Sequence, residues 1–412
     1  MLKQLVRTLA IITLLIITNT ITAAPLVFLP ISEIPFSDVS DLNQNFTLSQ
    51  FSFDDSLGVL SAVSATLDSS GQAHLAFLDR LKSQKIVLRY LRQKGATWEG
   101  TVVDTVGKTR TESGIVIKDI PTHRPSIAIA GDGSVHLVYI KKSGKTAQIC
   151  YSLIKNDNSL ESQSVIDQVS DTSIHQIGLL IDPKKVVHVS YYKGGLKYAE
   201  NSTGKFVASM VMADKTGNNF LEKGQVSEII LLSDGTIMIP YMGTHHRNRV
   251  VVAQFVDCAI NSKGKWKNSG ITGELGVLSG DAIAAYVSPA GLPTAVYTHG
   301  GVLGYATYQN NKWTRKNTGM GSTLSSGAMG ATLVANGQEI VAWFNRDTAL
   351  NLSTRKDSSA SWSHSPVAKF KCVSMFTQQR DPMICARKDG KLDLYVTISH
   401  PTKAVVTRIV RK

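Results

Sequence analysis

The sequence predicts an all-β fold, a single seven-bladed β-propeller with four-stranded antiparallel blades, and three observations lead to this prediction. One unit of two alternating apolar strands around a tight turn recurs seven times along the chain. The turns are 46 to 62 residues apart, a spacing typical of propeller blades. The chain also ends on a strand that needs a partner, and a matching strand precedes the first repeat.

The turns define the repeats. Asp-Gly and Ser-Gly pairs supply the positive φ that tight β-turns require, and the residues on either side alternate between apolar and polar. In the third repeat a lysine takes the position that is glycine in the others. The turn positions are Gly71, Gly133, Lys185, Gly235, Gly291, Gly337 and Gly390.

A third strand follows each pair, and the fourth strand often opens with an aromatic residue. An aromatic ring at this outer position is expected to cover the seam between neighbouring blades, so we interpret these residues as packing residues. Leu160 takes the same position in the second repeat. The aromatic residues are Trp98, Phe206, Trp266, Trp313 and Trp362.

The two ends of the chain are expected to share one blade. The last repeat ends on its third strand, residues 404–410, and residues 46–53 alternate correctly to supply the fourth. Such pairing would remove two exposed sheet edges. The prediction is therefore one domain, residues 25–412, whose seventh blade is completed by residues 46–53.

The N-terminus has the layout of a cleaved secretory signal. Lys3 and Arg7 precede an apolar run over residues 9–17, and small residues then lead to Pro25. Asn19 interrupts the run before it reaches the roughly 20 apolar residues of a membrane span. We expect residues 1–24 to be removed, the mature protein to be secreted or periplasmic, and the chain to have no integral membrane span.

The mature chain is basic. Its formal net charge falls from +13 to +11 when Lys3 and Arg7 are removed, since no acidic residue leaves with them. A basic secreted protein attracts polyanions, so we expect a glycan or other anionic polymer as partner, with a protein partner as an alternative. We expect a monomer without cofactor, and no CxxC or HxxxH spacing indicates a metal site.

Four cysteines are too few for a disulfide framework in a chain of this length. Cys372 and Cys385 are close enough in sequence to pair. Cys150 and Cys258 fall on different repeats, so we expect them to be buried as small apolar residues.

The repeat resembles the degenerate units of the sialidase-like, or BNR/Asp-box-like, propeller superfamily. The most similar stretches are Thr-Trp-Glu-Gly-Thr-Val-Val-Asp at residues 97–104 and the run from His123 to His136. The resemblance implies a polysaccharide-active propeller, such as a polysaccharide lyase or an unusual glycosidase. The Ser-x-Asp-x-Gly-x-Thr-Trp box and the Phe-Arg-Ile-Pro motif of sialidases are absent, and Arg124-Pro125 is only a fragment of the latter.

Loops between second and third strands share one face of a propeller with the connections between blades, here called the loop face. Its richest predicted loop is residues 241–249, which supplies the candidate catalytic residues Tyr241, His245, His246 and Arg247. The same face supplies the candidate ligand-binding residues His123, Arg124, His175, Tyr192, Asp281, His299, Arg346 and Arg380.

Two functions fit these candidates. The first is a binding module for glycan or protein ligands on the loop face. The second is β-elimination on an acidic polysaccharide, in which Arg neutralises a uronate and His or Tyr removes the adjacent proton. Hydrolysis requires a carboxylate pair, and the predicted loop face has no obvious glutamate. A purely structural surface component is a third alternative.

We favour binding, because the repeat motifs of the scaffold can be recognised in the sequence and no known catalytic motif can. His74, His136 and His188 recur at one strand position, three residues after the turn. That repetition indicates a scaffold role, so they are not among the candidates.

Overall fold

The computed structural model describes residues 26–112, 115–119, 123–143, 146–169, 176–216, 219–248, 250–273, 282–299, 302–317, 329–335, 337–345, 349–356, 360–370, 382–387, 389, 391–399 and 404–412. All regular secondary structure in these residues is β-strand. Within them no helix has the length and apolar character needed to cross a membrane.

The strands follow one another in chain order. The first ten are β1 Leu29–Pro35, β2 Val39–Leu42, β3 Phe46–Ser52, β4 Ser56–Val59, β5 Ser64–Leu67, β6 Ala73–Leu81, β7 Lys85–Lys94, β8 Thr97–Glu112, β9 Ile115–Asp119 and β10 Ser126–Ile129. The next twelve are β11 Val135–Ser143, β12 Thr146–Ile154, β13 Leu160–Val169, β14 Gly178–Ile181, β15 Val187–Tyr192, β16 Gly195–Glu200, β17 Val207–Ala213, β18 Asn219–Ser227, β19 Ile230–Leu231, β20 Ile237–Arg247, β21 Val250–Ser262 and β22 Lys265–Gly270. The last are β23 Ile283–Val287, β24 Pro293–His299, β25 Val302–Gln309, β26 Lys312–Asn317, β27 Met329–Ala335, β28 Gln338–Phe344, β29 Ala349–Arg355, β30 Ser363–Phe370, β31 Met383–Ala386, β32 Leu392–Ser399 and β33 Ala404–Arg411.

These strands form antiparallel sheets of the kind that the repeats predict. Strands β10–β13, β14–β17 and β23–β26 each form a four-stranded sheet, β18–β22 form a five-stranded sheet, and β27–β30 are extended by β2. The eleven-stranded sheet joins β31–β33 and β3 to β4–β9 through β1. The first strands of successive units, such as β5, β10 and β14, contact each other, so the sheets stand around a common axis. This arrangement is a β-propeller.

The tight turns have the geometry that the sequence predicts. Gly133 has a φ of 83°, and its N–H donates to the carbonyl of Ala130 at 2.9 Å. Lys185 adopts the same left-handed region, with a φ of 66°, and its N–H donates to the carbonyl of Asp182 at 2.9 Å. Lysine is therefore strained where glycine is not, and the Asp182 carboxylate compensates by accepting from the N–H of Val186 at 2.7 Å.

The hydrophobic core is divided among the seams between neighbouring sheets. Each cluster of buried apolar side chains takes its members from two consecutive units. Rings at the seams meet edge to face, with centroids 5.0 Å apart for Phe206 and Tyr151 and 5.3 Å apart for Trp266 and Tyr198. The prediction that the outer aromatic residues cover the seams is confirmed for these two units.

Hydroxyl groups on the strands near the axis connect one unit to the next. Ser64 Oγ donates to the carbonyl of Pro125 at 2.5 Å, and Ser126 Oγ donates to that of Ile177, also at 2.5 Å. All of these groups are buried, so each hydroxyl satisfies a carbonyl that water cannot reach. The repeat thus specifies the stacking of sheets as well as their internal pairing.

The N-terminal segment connects three units. Strand β3 pairs with the last strand, β33, from Phe46 opposite Arg411 to Gln50 opposite Thr407. Strand β1 pairs with β3 on one side and β8 on the other, and β2 pairs with β30. Residues between Leu29 and Ser52 therefore hold the first and last parts of the chain together.

One carboxylate lies at the centre of this junction. Glu33 on β1 accepts from Trp98 Nε1 at 2.9 Å and from Arg408 Nη1 at 3.1 Å, and it also accepts from Ser49 Oγ. These three partners belong to β8, β33 and β3. Arg408 lies over the ring of Trp98 at 5.5 Å and donates to the buried Asp393 at 3.2 Å.

The cysteines behave mostly as expected. Cys150 and Cys258 are buried, which confirms the prediction, and burial raises the pKa of the Cys150 thiol to about 11. Cys385 is a free, buried thiol in the seam beside Tyr395. Its suggested partner, Cys372, lies outside the described residues.

Replacing Glu33 tests the role of the junction. We expect Glu33→Gln to lower the free energy of unfolding by about 2–3 kcal/mol, because it leaves the mostly buried Arg408 without one of its two carboxylates. Urea unfolding followed by tryptophan fluorescence measures this change. Glu161→Gln is the matched control: Glu161 and Lys155 form an exposed pair at 3.0 Å, so the change should be within about 0.5 kcal/mol. Equal effects of the two variants would contradict this role for Glu33.

Candidate functional site

The mouth of the central channel holds an arginine that is contacted from two other units. Arg124 precedes β10, and its Nη2 lies 3.6 Å from Glu228 Oε1 while its Nη1 lies 3.3 Å from Met383 Sδ. Glu228 precedes β19, and Met383 opens β31, so the three side chains converge from three sheets. The Arg124 side chain is 11% exposed and that of Glu228 is 26% exposed, so both are largely but not fully buried.

Glu228 is also the acceptor for an amide. Gln176 Nε2 donates to Glu228 Oε1, and the N–H of Gln176 donates to the carbonyl of Gln225 at 3.3 Å. Gln225 Nε2 in turn donates to Glu222 Oε2 at 2.9 Å. A chain of polar contacts therefore runs from Arg124 to Glu222.

The chain ends at a histidine–glutamate pair. His246 Nε2 lies 2.8 Å from Glu222 Oε2, which also accepts from Thr244 Oγ1 at 3.0 Å. Thr244 and His246 lie on the same face of β20, and Glu222 is the residue opposite Thr244 on β18. We call the connected residues the mouth network: Arg124, Gln176, Glu222, Gln225, Glu228, Thr244 and His246.

Tyr192 and Asp214 form a second polar pair close to the mouth network. Tyr192 OH donates to Asp214 Oδ2 at 2.8 Å, and the N–H of Lys223 donates to Asp214 Oδ1 at 2.8 Å. Burial raises the pKa of the Asp214 carboxyl, and the nearby negative charge of Glu222 adds to this shift.

The segment predicted as the richest loop is instead a β-hairpin. Strand β20 continues to Arg247 and β21 starts at Val250, so only two residues separate the strands. Within β20, Gly243 leaves room for the ring of Phe255 on the paired strand. A Cβ at this position would lie 2.4 Å from that ring, so a larger residue would displace it. The loop was predicted from the repeat register, which ends the second strand of this unit at Tyr241.

The structure places Tyr241, a catalytic candidate from the sequence, in the core. Its side chain is fully buried in the seam with the preceding unit, and its OH donates to Asn268 Oδ1 at 3.0 Å. Burial raises the pKa of the Tyr241 phenol above its ordinary value.

The other candidates fall into three groups. His246 and Arg124 are in the mouth network, and Tyr192 lies near it. His245 is half-buried on β20, Arg247 is exposed at the hairpin end, and His123 is buried next to Arg124. His299 ends β24, and its backbone pairs with Val302. The candidates His175, Asp281, Arg346 and Arg380 lie outside the described residues.

Sequence reasoning missed five members of the mouth network: Gln176, Glu222, Gln225, Glu228 and Thr244. Two of them, Glu222 and Glu228, are carboxylates where the sequence offered no obvious glutamate. The repeat register carried a signal for Glu228, which lies seven residues before its turn glycine. Ser64, Ser126 and Gly178 occupy that position in the first three repeats, and Met383 occupies it in the last.

The mouth network offers donors and acceptors to a polar ligand. Arg124 supplies a planar cation, Gln176 and Gln225 supply amides, and the two glutamates supply acceptors. No group of three His, Cys, Asp or Glu side chains in the described part of the chain is arranged to hold a metal ion. The mouth network therefore combines a cation, amides and carboxylates, which are groups that can form charge-assisted hydrogen bonds.

The raised pKa of Asp214 predicts how the free energy of unfolding depends on pH. A carboxyl whose pKa is higher in the folded than in the unfolded state costs stability once it ionises, so this cost grows as pH rises above about 3.8. We expect Asp214→Asn to gain free energy of unfolding relative to the wild-type protein as pH rises from about 3.5 to 7. Urea unfolding at a series of pH values measures the difference. A difference that stays constant over this range would contradict the assignment.

Tyr241→Phe tests the structural role of this residue. The variant should lose about 1–2 kcal/mol of unfolding free energy, because Asn268 Oδ1 keeps its place and loses its donor. Thermal or urea unfolding measures the loss, and any ligand binding at the loop face should be unchanged. A variant with the unfolding free energy of the wild-type protein and no ligand binding would show instead that Tyr241 belongs to the binding site.

Comparison with known proteins gives the fold. No protein family and no curated protein matches the chain. Among solved structures, a protein of unknown function from Dyadobacter fermentans has a TM-score of 0.50 at 10% identity, covering 93% of this chain and 98% of that one. An ulvan lyase from a new family of polysaccharide lyases has a TM-score of 0.53 at 10% identity, covering 91% and 97%. A six-bladed fucose lectin from Aleuria aurantia has a TM-score of 0.41 at 13% identity, covering 84% and 90%. The likeness to the first two structures shows that the chain shares their fold.

Proposed function

We propose that the protein is a secreted, seven-bladed β-propeller that binds glycans at the mouth of its central channel. In this proposal residues 1–24 are a cleaved signal peptide and residues 25–412 form one monomeric domain. The apolar run behind Lys3 and Arg7 supports secretion.

Contacts between sheets support the blade number. The described residues contain seven clusters of buried apolar side chains, each between two consecutive units. The first strand of the last unit, β31, contacts the first strand of the first unit, β5, as a closed ring requires. The pairing of β3 with β33 supplies the fourth strand of the last blade.

The observation that carries the binding proposal is the mouth network itself. Sugars present several hydroxyl groups that both donate and accept, so a matching site alternates donors and acceptors over a short distance. The contacts from Arg124 through Glu228, Gln176, Gln225 and Glu222 to His246 provide this alternation. Because the side chains already hold each other in place, little conformational entropy is lost when a ligand binds.

The geometry favours binding over the elimination mechanism that the sequence suggested. That mechanism needs an arginine, a His or Tyr base and a second proton donor around one reacting carbon. Tyr241 is buried in a seam, and Arg124 lies beside the Glu228 carboxylate, which offsets part of its charge. A site that binds without reacting needs no such convergence.

We propose acidic glycans as the preferred ligands. Arg124 can replace the long contact to Glu228 with a bidentate contact to a uronate or sulfate, and the mature chain carries a net positive charge. One ulvan lyase structure holds a ligand of glucuronic acid and sulfated rhamnose. At 10% identity that likeness concerns the fold, and the proposal rests on Arg124 and on charge.

Binding to immobilised polysaccharides tests this proposal. The panel contains ulvan, alginate, polygalacturonate and chondroitin sulfate, with dextran as a neutral comparison, and surface plasmon resonance gives the affinities. We expect Arg124→Gln to weaken binding to the best acidic ligand about tenfold, because a charge-assisted contact is lost. Glu228→Gln should strengthen it, because Arg124 no longer faces a competing carboxylate.

Arg247→Gln is the matched control, since Arg247 is an exposed arginine at the hairpin end of the same face. It should bind almost as tightly as the wild-type protein. The proposal is wrong if no acidic polysaccharide binds at low salt, or if Arg124→Gln folds normally and binds as well as the wild-type protein.

Cleavage of the polysaccharide is the second candidate function, and the His246–Glu222 contact favours it. A carboxylate that orients an imidazole is a recurring element of acid–base catalysis. Incubation with the same panel tests it through two products: unsaturated uronate ends from elimination and new reducing ends from hydrolysis. Cleavage that His246→Gln abolishes would establish an enzyme, whereas intact polysaccharide would leave binding as the function.

A further inference from the structure

Two clefts on the opposite face of the ring have the same place in consecutive seams. The first, of about 650 Å³, lies between the β14–β17 sheet and the β18–β22 sheet. The second, of about 570 Å³, lies between the β10–β13 sheet and the β14–β17 sheet. Both volumes fall within the range of small-molecule sites, and both clefts open beside the tight turns rather than on the loop face.

Equivalent tyrosines form part of the wall of both clefts. Tyr198 lines the first and Tyr151 lines the second. Tyr151 pairs with Val138 and Tyr198 with Ser190, which are each five residues beyond the turn position of their unit. The clefts are therefore repeats of one structural feature.

The recurrent histidines hold these tyrosines in place. Tyr198 OH lies 2.6 Å from His188 Nδ1 and Tyr151 OH lies 2.8 Å from His136 Nδ1, both within hydrogen-bond distance. Burial lowers the pKa of His136 to about 4, so its imidazole is neutral at physiological pH and can accept from the phenol. The histidines that the sequence assigned to the scaffold thus fix the orientation of a cleft wall.

The outer aromatic residue of the next unit packs against each tyrosine, but the two seams differ. Trp266 meets Tyr198 edge to face and also lines the first cleft, where its indole is half-buried. Phe206 meets Tyr151 in the second seam. A half-buried indole beside polar groups in a cleft wall is suited to the C–H face of a sugar ring, because a pyranose has an apolar face and a polar edge.

Polar side chains surround these rings in both clefts. The first has Glu200, Asp234, Asn261 and Lys263, and the second has Asp132, Asn156, Glu161 and Lys185 among its lining residues. Carboxylates and amides accept hydrogen bonds from sugar hydroxyls. With Asp157 and Lys155 included, each cleft carries a formal charge of −1, so a polyanion is disfavoured here.

We propose that these two clefts are binding sites for neutral pyranose sugars, distinct from the acidic-glycan site at the channel mouth. The two sites lie in adjacent seams on one face, so a surface that displays many sugars can occupy both at once. Each cleft alone would bind a single sugar weakly, and their combination would provide avidity.

In the seam between the first two units, the equivalent tyrosine, Tyr90, is covered by another part of the chain. Leu160 stands there in place of an aromatic residue, and Phe28 from the N-terminal segment packs against Tyr90 with ring centroids 5.9 Å apart. Arg92 lies 4.2 Å from the centroid of the Phe28 ring and pairs with Glu99. The chain itself therefore covers this tyrosine.

Sensors coated with neutral monosaccharides test the proposal, using galactose, glucose, mannose, fucose and N-acetylglucosamine, each coupled at high and low density. We expect the wild-type protein to bind at least one sugar more tightly at high density. Glu200→Ala removes a carboxylate from the first cleft and Glu161→Ala from the second, and neither side chain belongs to the core. Each variant should lose at least about tenfold in apparent affinity at high density, and the double variant should lose binding.

Comparison of the double cleft variant with Arg124→Gln distinguishes the two clefts from the mouth network, and a measurement of unfolding excludes a loss of folding as the cause. Arg124→Gln should bind neutral sugars like the wild-type protein, while the double cleft variant should still bind the acidic polysaccharide. Thermal unfolding shows whether each variant is folded. The proposal is overturned if no neutral sugar binds at either density, or if the folded double variant binds as tightly as the wild-type protein.

Discussion

The closure of the ring depends on the N-terminal segment, and Glu33 lies at the centre of its side-chain contacts. Glu33 on the first strand accepts from Trp98, Arg408 and Ser49, which belong to the first unit, to the last strand and to the strand that pairs with it. Each unit buries its apolar side chains only against its neighbours, so a ring that opened at this point would expose one seam completely. The N-terminal segment therefore holds the first and last units together, and the seam between them stays buried only while this pairing is intact.

Within this closed ring, function is expected where the repeat is broken. Most first strands carry a small residue seven positions before the turn, and small residues allow neighbouring sheets to approach the axis. Glu228 and Met383 depart from this rule, and both contact Arg124 at the channel mouth. On the opposite face, the regular His–Tyr contact belongs to the scaffold, and the outer position varies between Trp266 in one cleft seam and Phe206 in the next. A repeat protein thus separates the residues that build it from the residues that distinguish one blade from another.

Local patterns in the sequence were sufficient for much of the fold. Alternation and turn glycines predicted the strands, the alternation of residues 46–53 indicated the strand that pairs with β33, and the seam aromatic residues were identified from their position. The site was less accessible, because its members are brought together by contacts between sheets. Glu222 is 24 residues from His246, and Arg124 is 104 residues from Glu228, so no local spacing predicts either pair. The repeat register ends the second strand of this unit at Tyr241, whereas β20 continues to Arg247 and pairs with β21 along this length.

The central claim is that an acidic glycan binds at the channel mouth, and an experimental structure of the protein with a bound acidic oligosaccharide tests it most directly. Crystals grown with a tetrasaccharide of the best-binding polysaccharide should show a uronate or sulfate group within hydrogen-bond distance of the Arg124 guanidinium. Sugar hydroxyls should contact Gln176, Glu228 or Glu222. An oligosaccharide located elsewhere on the ring, with Arg124 still facing Glu228 and no sugar at the mouth, would contradict the account.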